Sequence, residues 1–503
     1  AVPAAAERRL PWRIPAAAAA ILAAAAAAGW WASHRPHGTP GAVSQITLAV
    51  LPFQNLGADP SIDHLRLALP DEIATTLSYI PTLAIRPFAS TQKYAKGDAD
   101  PQAAGRELRV ADVLTGHFQR EGDQLRVTLE VVDTDSNRLL WRDTSSAAAN
   151  DVIGLRDQIS TRLRQGLFPL LGAGAGVAEA ATRPKSPEAY DLYLRSKPFT
   201  SDPDPNTRAI AMLERSVGLD GTFAPAWGEL SHRYYYDATY ANGGAAAYDR
   251  ALASAKHALS LDPDLTEAAE NLAIYEVEGG DLLGGLERAS DMVRRRPQSG
   301  RAHFTMGYVL RYWGLLDESA RECDAALEVD PHDRDFRSCS ATMMLLKRYD
   351  RAAVFIALDA GSSWSLSTTI DSMLRDGRRA EGLRLLGDGK ELLAGPEIGT
   401  LLSTGRSRAQ KDAALAAVMT VLEIRDAEPK YFVAAYVSLA GHGPEALRLL
   451  RGAVQGGYLC HQAMDNDPLF DPIRQNPEFG AIRAESMRRQ NEFVAKRGTG
   501  QAR

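Results

Sequence analysis

The chain has 503 residues and a mass of 54.4 kDa, and 45% of its residues are hydrophobic, which suffices for about three domains of roughly 150 residues each. Its 57 basic and 63 acidic side chains give a net charge of -6, which argues against a nucleic-acid partner because such proteins carry a large positive charge. Three scattered cysteines, Cys323, Cys339 and Cys460, argue against a disulfide-rich fold and a CxxC-type metal site, and their odd number leaves at least one thiol free.

The first distinctive feature is an uncharged run, residues 14–32, with the sequence IPAAAAAILAAAAAAGWWA. As a helix this run would be about 28 Å long, which matches the hydrocarbon thickness of a bilayer. Several arginines precede the run and only Arg35 follows it closely, so the positive-inside rule places residues 1–13 in the cytoplasm. We therefore expect one transmembrane helix in the inner (cytoplasmic) membrane, in contact with the lipid bilayer, and the bulk of the chain in the periplasm.

Two alternatives to a membrane anchor remain for this segment. A cleaved signal peptide has the same charge pattern, but Trp30 lies where a small residue should precede a cut after Ala32, and the apolar run exceeds a usual signal peptide. An alanine-rich helix in water is the other alternative. Residues 33–45 are rich in proline and glycine and are interpreted as a linker.

Residues 46–171 alternate between strand and helix patterns, which predicts a small mixed α/β domain. Within 124–133, apolar residues alternate with polar ones, as in a strand with one buried face. The predicted strands are 46–53, 83–88, 110–120, 124–133 and 138–144, and the predicted helices are a segment after Pro70, 102–108 and 151–167.

Three segments of this domain are similar in sequence to a known family. LAVLPFQNLGADPSIDHLRLALPDEIATTLSYIPTLAIRPFAST, RELRVADVLTGHFQREGDQLRVTLEVVDTDSNRLLW and DVIGLRDQIS resemble the TolB-like amino-terminal domain of bacterial membrane-anchored signalling proteins. The resemblance implies a non-catalytic extracytoplasmic module, commonly joined to tetratricopeptide repeats. Across a membrane helix, that family commonly carries a winged-helix, adenylate cyclase or protein kinase unit. Only thirteen residues precede Ile14, so we expect no such output domain here.

After a linker at 172–186, residues 187–457 predict an all-α tetratricopeptide-repeat solenoid. Pro263, Pro297 and Pro331 follow the ends of amphipathic helices at intervals of 34 residues, the period of this repeat. Eight residues more than the repeat consensus lie inside one unit, which predicts an inserted loop or an extended first helix. We count five to seven helix pairs, and residues 458–503 are expected to form a capping segment and a basic tail. The expected fold class is therefore α+β.

The sequence contains none of the common catalytic or metal-binding motifs. It has no phosphate-binding loop, HExxH, GxSxG or calcium loop, so we expect no enzyme activity, cofactor, metal or small-molecule substrate. Cys323 is expected to be a buried packing thiol, and Cys339 and Cys460 have no partner that the sequence assigns.

The concave wall of such a solenoid, formed by the first helices of successive pairs, is the expected site for a protein or peptide partner. Arginine and tyrosine are frequent in binding hot spots, and two guanidinium groups would suit a carboxylate-bearing peptide. Alternatively, the same side chains pack within the molecule or face solvent. The candidate residues are Arg301, Phe304, Tyr308, Arg311 and Tyr312, followed by His232, Tyr235 and Tyr236; Glu267, Glu270 and Glu278 are predicted on the same wall.

These patterns favour a non-enzymatic, membrane-anchored scaffold for protein interactions. The alternative function is the sensory and relay part of a transmembrane signal transducer, of the transcriptional regulator, adenylate cyclase or protein kinase type, whose output domain lies outside this chain.

Overall fold

The computed structural model describes residues 46–80, 83–96, 99–172, 182–241, 243–387 and 396–500, which belong to one compact unit. The predicted membrane helix at 14–32 and linker at 33–45 lie outside these residues. None of the described helices combines the length and the hydropathy that crossing a bilayer requires.

The described residues of the first region form a mixed sheet, as its alternating pattern predicted. The central strands pair in the order β3-β1-β4-β5-β6; β1 is parallel to β3 and β4, whereas β4, β5 and β6 form an antiparallel meander. The short β2 pairs with β4. The strands are β1 (Ile46–Val50), β2 (Gln54–Asn55), β3 (Leu83–Ile85), β4 (Asp112–Glu121), β5 (Gln124–Asp133) and β6 (Leu139–Ala148), and the main helices are α1 (Leu65–Ser78), α2 (Pro101–Leu108) and α3 (Val152–Arg162).

Helix α1 begins five residues before Pro70, although the sequence predicted that it starts after this proline. A proline inside a helix removes one N–H donor and leaves the carbonyl four residues earlier without its helical bond. Here that carbonyl belongs to Arg66, and the backbone N–H of Phe53 donates to it at 2.9 Å. The loop after β1 therefore supplies the missing bond, and the helix continues through Pro70.

The second region is a solenoid of paired helices, as the 34-residue period predicted. Eight pairs are present in the described residues, one more than the upper sequence count, because the pair at 396–418 carries no recognisable repeat motif. The helices are α4 (Pro187–Ser196), α5 (Pro203–Leu219), α6 (Ala224–Tyr240), α7 (Gly244–Leu261), α8 (Thr266–Glu278), α9 (Leu282–Arg295), α10 (Gly300–Tyr312), α11 (Leu316–Val329), α12 (Cys339–Leu345), α13 (Tyr349–Ile356), α14 (Ser363–Arg375), α15 (Arg379–Gly387), α16 (Pro396–Leu402), α17 (Arg408–Val418), α18 (Glu428–Leu439) and α19 (Gly443–Gln455), followed by α20 (His461–Asn466) and α21 (Pro477–Gly500).

The eight extra residues lengthen both helices of one pair instead of forming a loop. Helices α6 and α7 have 17 and 18 residues, whereas the next pair, α8 and α9, has 13 and 14. Each helix of the longer pair therefore gains about one turn, since a turn takes 3.6 residues. The α6–α7 hairpin is therefore longer than the α8–α9 hairpin by that turn.

The α/β domain is docked along the edge of the solenoid, on the turns between repeats. Tyr79 donates a hydrogen bond to Asp262 Oδ2 at 2.5 Å, and Ser90 donates to Asp330 Oδ2 at 3.3 Å. These two aspartates precede the prolines of the repeat turns, and their other carboxylate oxygens accept backbone N–H groups of the same turns. The turns that separate the helix pairs thus also hold the α/β domain.

A buried ion-pair junction joins the two regions more tightly at the start of the solenoid. The ammonium group of Lys197 lies 2.7 Å from Asp71 of α1 and 2.9 Å from Glu229 of α6. The Lys197 side chain is only 9% exposed, so the two carboxylates replace the water that the charge has lost.

The end of the solenoid folds back onto its middle. The backbone N–H of Leu459 donates to the carbonyl of Tyr312 at 2.8 Å, and the indole ring of Trp313 stacks on Phe493 of α21 at 3.5 Å. The chain turns beside this contact at Gly314, which has a φ of 70°.

The cysteine prediction needs a correction. Cys323 of α11 is buried, as expected, but it forms a disulfide with Cys339 of α12, across a Cα–Cα distance of 5.9 Å. Sequence could not assign this pair because the two residues meet only when consecutive helix pairs stack. Cys460 is buried and free.

We predict that Gly314→Ala destabilises the protein much more than Gly377→Ala. Both glycines have positive φ in equivalent turns, which costs an alanine about 1–2 kcal/mol. A Cβ at position 314 would also collide with the carbonyl oxygen of Leu459, whereas one at position 377 meets nothing within 4 Å. Chemical denaturation should show an additional loss of about 1–3 kcal/mol for Gly314→Ala. Equal losses for the two variants would contradict the fold-back contact.

Candidate protein-binding groove

The first helices of successive pairs form a continuous inner wall, and several predicted residues meet there. Tyr235 of α6 stacks on Tyr275 of α8 with a ring separation of 4.7 Å, and its hydroxyl donates to Glu278 Oε1 at 2.9 Å. Tyr308 of α10 donates to the same oxygen at 2.8 Å. The 34-residue register thus correctly places these side chains on one wall, but they bind one another.

The expectation that Arg311 and Tyr312 are open to a partner is wrong. Arg311 is fully buried, with its Nε 2.7 Å from Glu428 Oε1, and its Nη2 donates to Glu428 Oε2 at 3.0 Å. Tyr312 is also buried and donates to Asp426 Oδ1 at 2.6 Å. Both carboxylates belong to the start of α18 and the loop before it. The carboxylate ligand that two arginines suggested is therefore supplied here by the chain itself.

The remaining residues of the predicted α10 set are also occupied within the molecule. Arg301 lies 2.6 Å from Glu270, 3.1 Å from Asp333 and 2.6 Å from Asp335, and its side chain is 25% exposed. Phe304 is buried, like Tyr308, and stacks on Phe336 at 5.2 Å. The α10 face is thus mainly an internal packing surface, which was the alternative interpretation of the sequence.

The open part of the inner wall lies on α6. The ring of Tyr236 contacts His232 at 4.8 Å and Tyr240 at 5.3 Å, which gives three rings at successive turns of one helix face. His232 and Tyr236 are half-buried, and Tyr240 is 62% exposed. Sequence analysis missed Tyr240 because the extra turn of α6 lies outside the repeat consensus. Its spacing of four residues from Tyr236 was the available signal.

The lengthened α6–α7 hairpin also reaches the loop before α18. Arg425 of this loop lies 2.6 Å from Asp249 of α7, and both side chains are about half exposed, at 44% and 57%. Tyr248 of α7 donates to the carbonyl of Tyr275 at 2.8 Å. The extra turn therefore lets the second repeat touch the late part of the chain.

Burial shifts the pKa values of several groups on this wall. It raises the pKa of Glu270 to about 7 despite Arg301, and burial together with the neighbouring Glu428 raises the pKa of Asp426 to about 7. Burial and the neighbouring Asp426 hold the pKa of Glu278 well above its usual value. Burial also lowers the pKa of His232 to about 4, so this imidazole is neutral at physiological pH. The described residues contain no group of three or more His, Cys, Asp or Glu side chains that could hold a metal ion.

Comparisons with known sequences give one family match and one curated relative. Residues 44–162 match the family described as the second domain of HilA/YgeH-like transcriptional regulators. This is the segment that resembles TolB-like domains, and the TolB-like assignment stays a prediction. Putative adenylate cyclase 3 of Rhizobium meliloti (strain 1021) is 27% identical over 187 residues, which are 37% of this chain and 32% of that protein. The chain thus spans about a third of the length of this curated relative.

Comparisons with solved structures give distant similarities. Yeast Tom70 has a TM-score of 0.33 and 11% identity, over 70% of this chain and 78% of that chain. A tetratricopeptide repeat protein from Parabacteroides merdae ATCC 43184 has a TM-score of 0.29 and 15% identity, over 60% of this chain and 100% of that chain. A human IFIT1 dimer with PPP-AAAA has a TM-score of 0.29 and 13% identity, over 60% and 79% of the two chains. Similarity at this level says nothing about what the present chain binds.

We predict that Glu270→Gln stabilises the protein at pH 8 by about 1–2 kcal/mol and much less at pH 5. The folded pKa of Glu270 is raised, so its contribution to stability is present at low pH and is lost as the pH rises through about 7. Arg301 carries one positive charge against three carboxylates, and the amide removes one negative charge while still accepting a hydrogen bond. Thermal unfolding at both pH values, with the exposed Glu287→Gln of α9 as a control, measures the effect. If Glu270→Gln lowers the stability by the same amount at pH 8 and at pH 5, the three carboxylates do not compete for Arg301.

Proposed function

We propose that this chain is a non-enzymatic scaffold that holds a segment of another protein against the open part of its inner wall, at His232, Tyr235, Tyr236 and Tyr240. The observation that carries this proposal is the exposure of Tyr240, beside two further rings, on the longest helix pair of the solenoid. Large aromatic side chains supply much of the binding energy of protein interfaces, and these three rings lie at successive turns of one helix face, where a partner segment could contact all of them. The α10 residues then form the closed part of the same wall.

We further propose that residues 14–32 anchor the scaffold in the inner membrane and that its TolB-like domain and solenoid lie in the periplasm. The asymmetry of arginines around the apolar run supports this orientation. The disulfide between Cys323 and Cys339 supports it independently, because disulfides persist in oxidising compartments and are rare in the cytosol.

A second candidate function is sensing and relay within a signalling protein. The specific observation in its favour is the buried Lys197 junction, which links α1 of the α/β domain to α6, the helix that carries the exposed rings. The matched family is described as a transcriptional regulator and the curated relative is named as an adenylate cyclase, and both names belong to signalling proteins. If Lys197→Met leaves hydrogen exchange in both α1 and α6 unchanged, the junction does not couple the two regions and this candidate loses its support.

We predict that a photo-crosslinking amino acid at position 240 captures one specific partner in the native cell. The same group at Leu219, which is also exposed but lies at the end of α5, should capture none. The double variant Tyr236→Ala and Tyr240→Ala should abolish co-purification of that partner without a loss of folding, since Tyr240 is mostly in water. Equal crosslinking at both positions, or capture that survives the double variant, would contradict the proposed surface.

We predict that a phosphatase fused after Arg503 is active and that a fluorescent protein fused there is dark. This outcome follows if the bulk of the chain lies outside the cytoplasm, where the phosphatase can form its disulfides. The same fusions to a chain that lacks residues 1–32 serve as the control and should show the reverse. Fluorescence from the complete chain would overturn the proposed topology.

A further inference from the structure

The arginines of the inner wall are already neutralised by the chain. Arg301 has three carboxylate neighbours, Glu270, Asp333 and Asp335, within 3.1 Å. One guanidinium group offsets one carboxylate, so this cluster keeps an excess of negative charge. The Asp335 side chain is 41% exposed, which places part of that excess in contact with water.

A second cluster, around Arg311, also has one cation and several carboxyl groups. Arg311 pairs with Glu428, whereas Asp426 and Glu278 accept neutral donors: hydroxyl groups, among them those of Tyr312, Tyr235 and Tyr308, and the backbone N–H of Glu428. Hydroxyl groups stabilise a carboxylate by hydrogen bonding but leave its charge in place. This second cluster therefore has three carboxyl groups for one guanidinium group, and with the pKa values of Asp426 and Glu278 raised by burial, a further cation would favour their ionised forms.

A third cluster lies at the other end of the wall. Lys197 is shared by Asp71 and Glu229, and Arg233 also pairs with Glu229 at 2.8 Å. Glu267 of α8 is exposed and lies within electrostatic reach of Lys197, Asp71 and Glu229. Two cations therefore face three carboxylates here. A further cation at this position would relieve the crowding of negative charge.

The positive groups nearest to the exposed rings do not reverse this balance. Arg334 and Arg337 both pair with Asp359, at 2.7 Å and 3.0 Å, and Arg337 also lies over the ring of Trp364. This pair leaves one positive charge, against the excess of carboxylates in the three clusters. Each of these two guanidinium groups already has a carboxylate partner, so an acidic peptide would have to compete with Asp359 for them.

Aromatic rings next to excess carboxylates suit a guanidinium or ammonium group, since a cation is attracted to the face of a ring and to the carboxylates. The chain uses the first of these contacts elsewhere, with Arg250 over Tyr234 at 4.3 Å and Arg311 over Tyr308 at 4.5 Å. We infer that the open wall, from Glu267 past Tyr236 and Tyr240 to Asp335, binds an arginine- or lysine-bearing segment of a partner protein. This inference rests on the proposed scaffold function and reverses the partner charge that the sequence suggested.

The test measures fluorescence anisotropy of the complete chain with three labelled peptides of equal length, in which serine alternates with arginine, glutamine or glutamate. The arginine peptide should bind at least about tenfold more tightly than the glutamine peptide, and the glutamate peptide should not bind. The double variant Glu267→Gln and Asp335→Asn should weaken the arginine peptide about tenfold. The matched double variant Glu287→Gln and Glu328→Gln, on exposed carboxylates of α9 and α11, removes the same net charge and should change binding less than about twofold.

Several results would overturn the inference. These are tighter binding of the glutamate peptide, equal losses in the two double variants, or binding of a single-stranded oligonucleotide in place of the arginine peptide. Thermal unfolding of each variant separates a loss of binding from a loss of folding. If crosslinking at position 240 still captures a partner while the arginine peptide does not bind, the charge assignment fails and the scaffold function stands. If crosslinking captures no partner and the arginine peptide does not bind, both the charge assignment and the scaffold function fail.

Discussion

The ion pair between Arg311 and Glu428 is the contact on which the arrangement of the solenoid depends. It joins residues 117 positions apart and places a fully buried guanidinium group against a carboxylate. A buried charge without a partner is costly, so this pair restricts the fold to arrangements in which α18 returns to α10. The backbone bond from Leu459 to Tyr312 lies beside it. Together these contacts fill the α10 side of the inner wall and leave the α6 side open.

The α/β domain and the solenoid share buried contacts instead of being joined only by a linker. The repeat supplies docking points, because Asp262 and Asp330 occupy the same place in two repeat turns and each accepts a hydroxyl of the α/β domain. Lys197 then connects this domain to α6 through Glu229. A partner on the exposed rings of α6 therefore binds a helix that is linked to the α/β domain through Lys197. One molecule is thus compatible with both scaffold and relay functions.

Local patterns in the sequence were sufficient for the strands of the meander and for the period of the solenoid. The apolar residues of 124–133 are buried as alternation requires, and the period placed Tyr235 and Tyr308 on one wall. The partners of those residues were not predictable, because Asp426 and Glu428 reach α10 only through the fold-back of the late repeats. The sequence did not predict the disulfide or the continuation of α1 through Pro70 for the same reason. Each depends on a contact between segments that no local pattern relates.

The central claim is that a partner binds the open wall on α6 while the α10 side stays closed. Hydrogen–deuterium exchange of the complete chain, with and without the captured partner, tests it most directly. The account predicts that the partner slows exchange in the peptides that cover 228–241 and 266–278 and leaves those of 300–312 unchanged, since the latter are already buried under α18. Slower exchange on β6 or on the outer helices α9 and α11, with none on α6, would contradict it.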